Sequence, residues 1–188
     1  MSAELLDMPA DRAKLDAKST PDFAQLFREH VSWLWRVVRR LGVRDGDVGD
    51  VVHDLFLDVH RSLATYDSSR PLRPWLYGFA LRAASDYRRQ AYIRRETPTA
   101  EPPEHGDLHS PEQALRATER RELVLQLLER MVDAQRTILV LVDLEDLPVT
   151  EVAQLLAVPL NTAYSRLRVA RESFAALALQ AQRKGDLP

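Results

Sequence analysis

The stretch from Val152 to Arg171 constrains this chain most, because it reads as two short helices around a tight turn. Val152, Ala153, Leu156, Ala163, Leu167 and Ala170 fall where they pack inward. Thr162, Tyr164, Ser165, Arg166, Arg168 and Arg171 fall on or beside the outer face of the second helix. Ala153 supplies the small residue where the helices cross, and Pro159 suits the first turn of the second helix, where a missing N–H costs nothing. A helix-turn-helix presents such a face to a DNA major groove, arginine gripping guanine or phosphate and hydroxyls serving either. A polar face with three arginines also suits a plainly solvated helix, and the turn position usually held by Gly is Ala157.

Composition narrows the classes. The 188 residues include no cysteine, which excludes disulfide staples and thiolate metal sites, and no apolar run is long enough to span a membrane. The first twenty residues carry mixed charge without an apolar core, the pattern of a flexible lead-in rather than a signal peptide. Cytoplasm is therefore the expected location. A formal charge of -2 is unusual for a chain that grips nucleic acid alone, since phosphate must be neutralised by Lys and Arg. Any DNA binding must be local and assisted.

Between Arg95 and Arg116 there is no Lys or Arg, while Glu96, Glu101, Glu104, Asp107 and Glu112 alternate with Pro98, Pro102, Pro103 and Pro111. The prolines deny a continuous helix and the acidic charges favour an extended chain, so this stretch reads as a linker. The expected organisation is all-α: a flexible segment over 1–19, a helical domain over 20–95, a linker over 96–111, a second helical domain over 112–182 and a tail over 183–188.

In the first domain, Thr20 can cap and Pro21 can open a helix whose apolar residues recur at three and four through Leu41, with Gly42 ending it. A second helix is expected from Asp47 to Leu63, burying Val48, Val52, Leu55, Phe56, Val59 and Leu63. Leu57 then lies opposite that stripe among Asp50, His53, Asp54 and Arg61. A lone exposed leucine, a weak Asp50-x-x-His53 metal pair and a protein-docking face are the competing readings.

After a polar loop holding Tyr66, a long helix is expected from Pro71 to Arg95. Its interior stripe holds Leu72, Trp75, Leu76, Phe79, Ala80 and Ala83; Arg73, Tyr77, Arg82, Arg88, Arg89, Tyr92, Arg94 and Arg95 make the remaining surface basic with aromatics interleaved. That mixture suits single-stranded nucleic acid, whose bases stack on rings while guanidinium groups follow the backbone, and equally a solvated helix end.

Three segments in order carry a family resemblance: Asp50-Val51-Val52-His53-Asp54-Leu55-Phe56-Leu57; Trp75-Leu76-Tyr77-Gly78-Phe79-Ala80 with Asp86-Tyr87-Arg88-Arg89; and Leu160-Asn161-Thr162-Ala163-Tyr164-Ser165-Arg166-Leu167 with Ala170-Arg171. From Phe23 to Leu177 the chain resembles the bacterial extracytoplasmic-function sigma factors, minimal members of the sigma-70 family that keep only regions two and four.

The resemblance implies that Asp50, His53, Asp54 and Leu57 dock on the clamp helices of the RNA polymerase largest subunit, with a further contact to the flap region. It implies that Tyr66, Arg82, Arg88 and Arg89 serve melting and reading of the minus-ten element, a base being extruded into a pocket. It implies that Tyr164, Ser165 and Arg168 face bases of the minus-thirty-five element while Thr162, Arg166 and Arg171 position on phosphate. The linker would thread toward the RNA exit path. An anti-sigma factor is the expected regulator. No cofactor and no membrane insertion are implied, and no attached sensor domain is expected after Leu179.

Five positions depart from the family pattern: His53 replaces Gln, Arg82 stands where Asn is common, Asn161 replaces Gly, and Ala163 and Ala157 replace a branched residue and the turn Gly. Arginine cannot accept a hydrogen bond, so base preference at Arg82 changes. No catalytic constellation, Gly-rich phosphate loop or histidine cluster is present, and function is expected to come from binding. The rivals are a polymerase-independent helix-turn-helix regulator, which leaves the Asp50 and Trp75 segments without a role, and a carboxylate-bridged metal protein, which lacks ligands.

Overall fold

A computed structural model describes residues 21–94 and 111–184. The expected segments 1–19 and 183–188 fall largely or wholly outside these residues, as does the linker over 96–111 except for Pro111, which opens a helix. Among the described residues there are seven α-helices and no strand: α1 (Phe23–Arg40), α2 (Asp45–Ser62), α3 (Leu72–Arg94), α4 (Pro111–Glu129), α5 (Asp133–Leu139), α6 (Val149–Leu155) and α7 (Leu160–Lys184). A 3-10 turn over Leu63–Thr65 follows α2, and a π-helical turn over Val140–Leu144 follows α5.

The cap of α1 differs from expectation. Asp22 takes that role, its carboxylate accepting from the amides of Ala24 and Gln25 at 3.4 and 3.2 Å, so Pro21 precedes the cap; Thr20 lies outside the described residues. The other end follows the sequence. Gly42 adopts φ +96°, its amide donating to the Arg39 carbonyl at 3.0 Å and that of Val43 to Val38 at 3.3 Å. This double closure needs a left-handed residue after the helix, which glycine supplies without steric cost.

Helix α2 begins two residues before the expected Asp47 and ends at Ser62. Asp45 and Asp47 occupy its first turn, where carboxylates favour the helix dipole, and Asp45 also pairs with Arg39. Its buried stripe is Val48, Val52, Leu55, Phe56 and Val59, packed on Leu34, Val37 and Val38 of α1 and on Leu76 and Ala80 of α3. Tyr77 corrects the sequence reading. Helical spacing puts it on the polar side of α3, yet it is 1 % exposed, because a second packing surface covers that flank.

That surface is the second half of the chain. Residues of α4 to α7, among them Leu128, Ile138, Leu141, Val152 and Leu167, join α1–α3 in one continuous apolar cluster. The two halves are therefore packed together, which the sequence alone does not foretell. Arg136 sits at the α4–α5 corner, buried, donating to the carbonyls of Leu128, Glu129 and Met131 at 2.6, 3.0 and 3.1 Å. It thereby satisfies the orphan carbonyls at the end of α4. Burial lowers its pKa.

The helix-turn-helix is formed by α6 and α7. Val158 donates to Ala153 at 3.0 Å and Ala157 to Gln154 at 3.1 Å, the same double closure seen after α1, here with Ala157 at φ +52° in place of glycine. Pro159 precedes α7 rather than entering it, and its carbonyl accepts from Ala163 at 3.0 Å. The second helix is not short: α7 runs for 25 residues. Its apolar stripe continues past the motif through Phe174 and Leu177, which pack on the core and sustain the extra turns.

Candidate functional site

Three surfaces carry the residues singled out from the sequence. On α7, Ala163, Leu167 and Ala170 are buried against α6, with Val152 and Ala153 opposite them. This leaves Tyr164, Ser165, Arg166, Arg168 and Arg171 exposed, with Thr162 half-buried beside them. Tyr164 stands 53 % exposed, a large ring held out without an intramolecular pocket. Ser165 Oγ donates to the Thr162 carbonyl at 3.0 Å. Arg168 pairs with Glu172 at 2.7 Å one turn on, an exposed pair weak enough to yield to a phosphate or base. Arg171 is held bidentately by Asp143, whose hydrogen bonds and charge raise its pKa.

The second surface lies at the start of α3. Tyr66, Trp75 and Phe79 form a run of rings with successive centroids 4.8 Å apart, and the Arg82 guanidinium lies 5.1 Å over Phe79. Tyr66 is set by its hydroxyl, which donates to the Arg70 carbonyl at 2.5 Å. These residues line a cleft of about 730 Å³ that also contacts Glu151, Gln154 and Leu155 of α6. The rings meet at tilted and edge-on angles, 46° and 73°, and with the guanidinium they line a cleft against which an unstacked base can pack. Trp75 belongs to this site although the sequence reading placed it in the interior stripe; its half-exposure beside a loop tyrosine is visible only when the helix is docked.

The four arginine and tyrosine candidates of this region do not converge. Tyr66 and Arg82 share the cleft, and Arg89 is exposed and paired with Asp86 at 2.9 Å. Arg88 points elsewhere, donating to the Leu41 carbonyl at 2.5 Å and to Asp133 at 3.0 Å. The side chains of Tyr92, Arg94 and Arg95 lie outside the described residues.

The third surface is the outer face of α2. Asp50, His53, Asp54 and Leu57 are all exposed, Leu57 at 42 %. Asp50 and Asp54 join Asp47, Asp58 and Asp86 along a groove of about 590 Å³ between α2 and α3, with Arg61 and Arg82 at its sides. Tyr87 closes its floor by donating to Asp47 at 2.6 Å, and burial together with that carboxylate raises the phenol pKa. An apolar knob beside a row of carboxylates suits a basic protein partner. Among the described residues no group of three or more His, Asp or Glu is arranged to hold a metal ion.

Comparison with known proteins settles the family. Residues 26–92 match the family model Sigma-70 region 2, and residues 121–174 match Sigma-70, region 4. RNA polymerase sigma factor NccH of Alcaligenes xylosoxydans xylosoxydans is 30 % identical over 164 residues, covering 85 % of this chain and 88 % of that protein. The chain belongs to the sigma-70 family, in its extracytoplasmic-function branch. It is an alternative RNA polymerase sigma factor.

Other relatives agree with this placement of the sigma factor. The ECF RNA polymerase sigma-E factor of Escherichia coli K12 is 29 % identical over 140 residues, 70 % of this chain and 73 % of the relative. The structure of CnrH in complex with the cytosolic domain of CnrY aligns with a TM-score of 0.61 at 26 % identity, covering 83 % of this chain and 86 % of that one. The sigma factor RpoE of Bartonella quintana, in complex with the anti-sigma factor NepR, shares the fold at 17 % identity and TM-score 0.61, covering 84 % and 96 %. The polymerase-independent regulator is not favoured by this set. In the sigma factor, α1–α3 constitute region 2 and α4–α7 contain region 4.

Proposed function

We propose that the three surfaces divide the work of promoter recognition. In this reading region 2 occupies 20–95 and region 4 occupies 112–182, joined through 96–111, with 1–19 and 183–188 at the ends. The face of α2 with Asp50, His53, Asp54 and Leu57 docks on the polymerase clamp helices, Leu57 filling an apolar pocket while the acids select a basic partner. Tyr66 and Arg82, with Trp75 beside them, receive an unstacked base of the minus-ten element; Arg88 and Arg89 follow the backbone. Region 4 makes a further contact to the flap and reads the minus-thirty-five element, with Tyr164, Ser165 and Arg168 toward bases and Thr162, Arg166 and Arg171 toward phosphate.

The observation that supports this most is the sidedness of α7: Ala163, Leu167 and Ala170 are buried while Tyr164, Ser165, Arg166, Arg168 and Arg171 stand out from the same turns. The protein works by binding, not by catalysing a reaction, and it does so in the cytoplasm. With a nearly neutral chain, affinity comes from two modest DNA contacts joined on one polymerase. An anti-sigma factor restrains it. No helix among the described residues is long and apolar enough to cross a membrane, and no membrane insertion is part of this reading.

The test is run-off transcription with purified core polymerase on genomic promoter fragments. Transcripts should depend on the added protein, vanish with Leu57→Asp and fall promoter-selectively by about tenfold or more with Arg168→Ala. Polymerase that is neither bound nor redirected would overturn the docking assignment.

A further inference from the structure

The two halves of the sigma factor meet at a carboxylate seated among donors. Glu145 follows the π-helical turn Val140–Leu144, and its side chain is 7 % exposed. Its Oε2 accepts from Trp33 Nε1 at 2.9 Å and from Tyr77 Oη at 3.0 Å, and its Oε1 accepts from Arg40 Nη1 at 2.5 Å. All three donors belong to region 2, two on α1 and one on α3. Arg73 lies 5.4 Å over the Trp33 ring and adds positive charge to the same wall.

The backbone around Glu145 breaks local rules in ways that point to a role. The Glu145 amide bonds to Val140 and that of Leu147 to Leu141, each at 3.0 Å, widening the helix end, and Asp146 adopts φ 56°. Wide helical turns occur mostly as single turns at functional sites, and Asp146, a residue type that tolerates left-handed backbone, turns the chain sharply just after Glu145. Here the side chain aimed into region 2 is Glu145. A buried carboxylate is tolerable only when fully hydrogen-bonded, and this one is satisfied entirely across the region boundary.

We propose that Trp33, Tyr77 and Arg40 form a carboxylate-binding site in region 2, and that Glu145 of region 4 occupies it as an intramolecular ligand, latching the free sigma factor shut. Two flanking contacts support the same closure: Arg39 with Glu122 at 3.0 Å, and Arg88 with Asp133 at 3.0 Å. In the latched form α6 borders the Tyr66–Arg82 cleft through Glu151, Gln154 and Leu155. Arg88 is withheld on Asp133.

The minus-ten and minus-thirty-five elements lie roughly 85 Å apart at about 3.4 Å per base pair, so halves in direct contact cannot engage both. This consequence for DNA rests on the proposed function; the latch itself does not. A closed form populated in excess lowers apparent affinity by the fraction that is open.

The experiment uses the full-length free protein without polymerase. Because the chain has no cysteine, Glu29→Cys and Ala176→Cys, both at exposed positions, accept a donor and acceptor dye pair. Glu145→Ala should lower energy transfer between the dyes while the far-ultraviolet dichroism stays helical. Arg40→Ala should lower it too, and the double variant should add little to either single change. Binding of the free protein to a promoter carrying both elements should tighten about tenfold with Glu145→Ala. Glu145→Gln, which keeps the shape and loses the charge, gives a decisive second reading where the alanine variant fails to fold. Wild-type transfer in a folded Glu145→Ala or Glu145→Gln protein overturns the latch. Run-off transcription separately tests the proposed function: a protein that opens as expected but never redirects polymerase keeps the latch and loses that function.

Discussion

Arg171 and Asp143 form a bidentate pair, Nη2 to Oδ1 at 2.6 Å and Nε to Oδ2 at 2.9 Å, that ties the long helix α7 to the π-turn behind it. Arg171 thus enters any DNA complex with its guanidinium already oriented. Arg171→Ala should weaken minus-thirty-five binding by the polymerase-bound sigma factor about equally across promoter sequences and reduce the salt slope by about one. Fluorescence anisotropy across a salt series measures both. Unchanged slope and affinity would leave Arg171 as an internal tie only.

Ala157 carries φ +52° where the helix closure after α6 calls for glycine. Left-handed backbone at a residue with a Cβ costs about 1–2 kcal/mol, and glycine returns part of this as unfolded-chain entropy. Ala157→Gly should therefore stabilise the protein by about 0.5–1 kcal/mol, read as a raised urea midpoint at unchanged slope.

Gly42 presents the opposite case. Its φ is +96°, and a Cβ there would collide with the Arg136 guanidinium, which donates to the Leu41 carbonyl at 3.4 Å beside it. Gly42→Ala should cost about 2 kcal/mol or more, since strain adds to displacement of a buried charged donor. Urea unfolding of the two proteins side by side checks the loss.

Tyr77 gives a pH dependence. Burial, followed by the charge and hydrogen bond of Glu145, raises its pKa well above the ordinary phenol value. A group whose pKa is raised on folding stabilises fully below its unfolded pKa, about 10 for tyrosine, and loses that contribution as pH rises toward the folded value. Stability should fall more steeply above about pH 10 in the wild type than in Tyr77→Phe. At pH 8 the Phe variant should be about 1.5–3 kcal/mol less stable, since a donor to a buried carboxylate is lost. Parallel curves above pH 10 would contradict the assignment.

Leu57 and Leu34 separate surface from core on adjoining helices. Leu34 is wholly buried, and Leu34→Ala should cost about 2–5 kcal/mol. Leu57→Ala, on the exposed face of α2, should shift stability by about 0.5 kcal/mol or less yet weaken co-purification with core polymerase. Thermal melts and pull-down from the same preparations distinguish the two.

Helical periodicity made α1, α2, most of α3 and the inner face of the helix-turn-helix legible in the chain, because it sorts apolar from polar side chains locally; α4, α5 and the full length of α7 were not marked in that way. Val52, Leu55, Phe56 and Val59 are buried and Leu57 is outward as the spacing requires; Ala163, Leu167 and Ala170 are buried under an exposed Tyr164 and Arg168. The order of segments was enough to place the family. Which polar residues are engaged follows from the packing of distant segments. Tyr77, Arg88 and Glu145 look like ordinary surface residues in a helical pattern, because a charge on a solvated face and a charge aimed at a distant partner have the same local signature. Their partners lie 68, 45 and 112 residues away, for Tyr77 with Glu145, Arg88 with Asp133 and Trp33 with Glu145. Contacts over such separations depend on how the two halves pack, and that is set by the whole apolar surface they bury together rather than by any short stretch of chain.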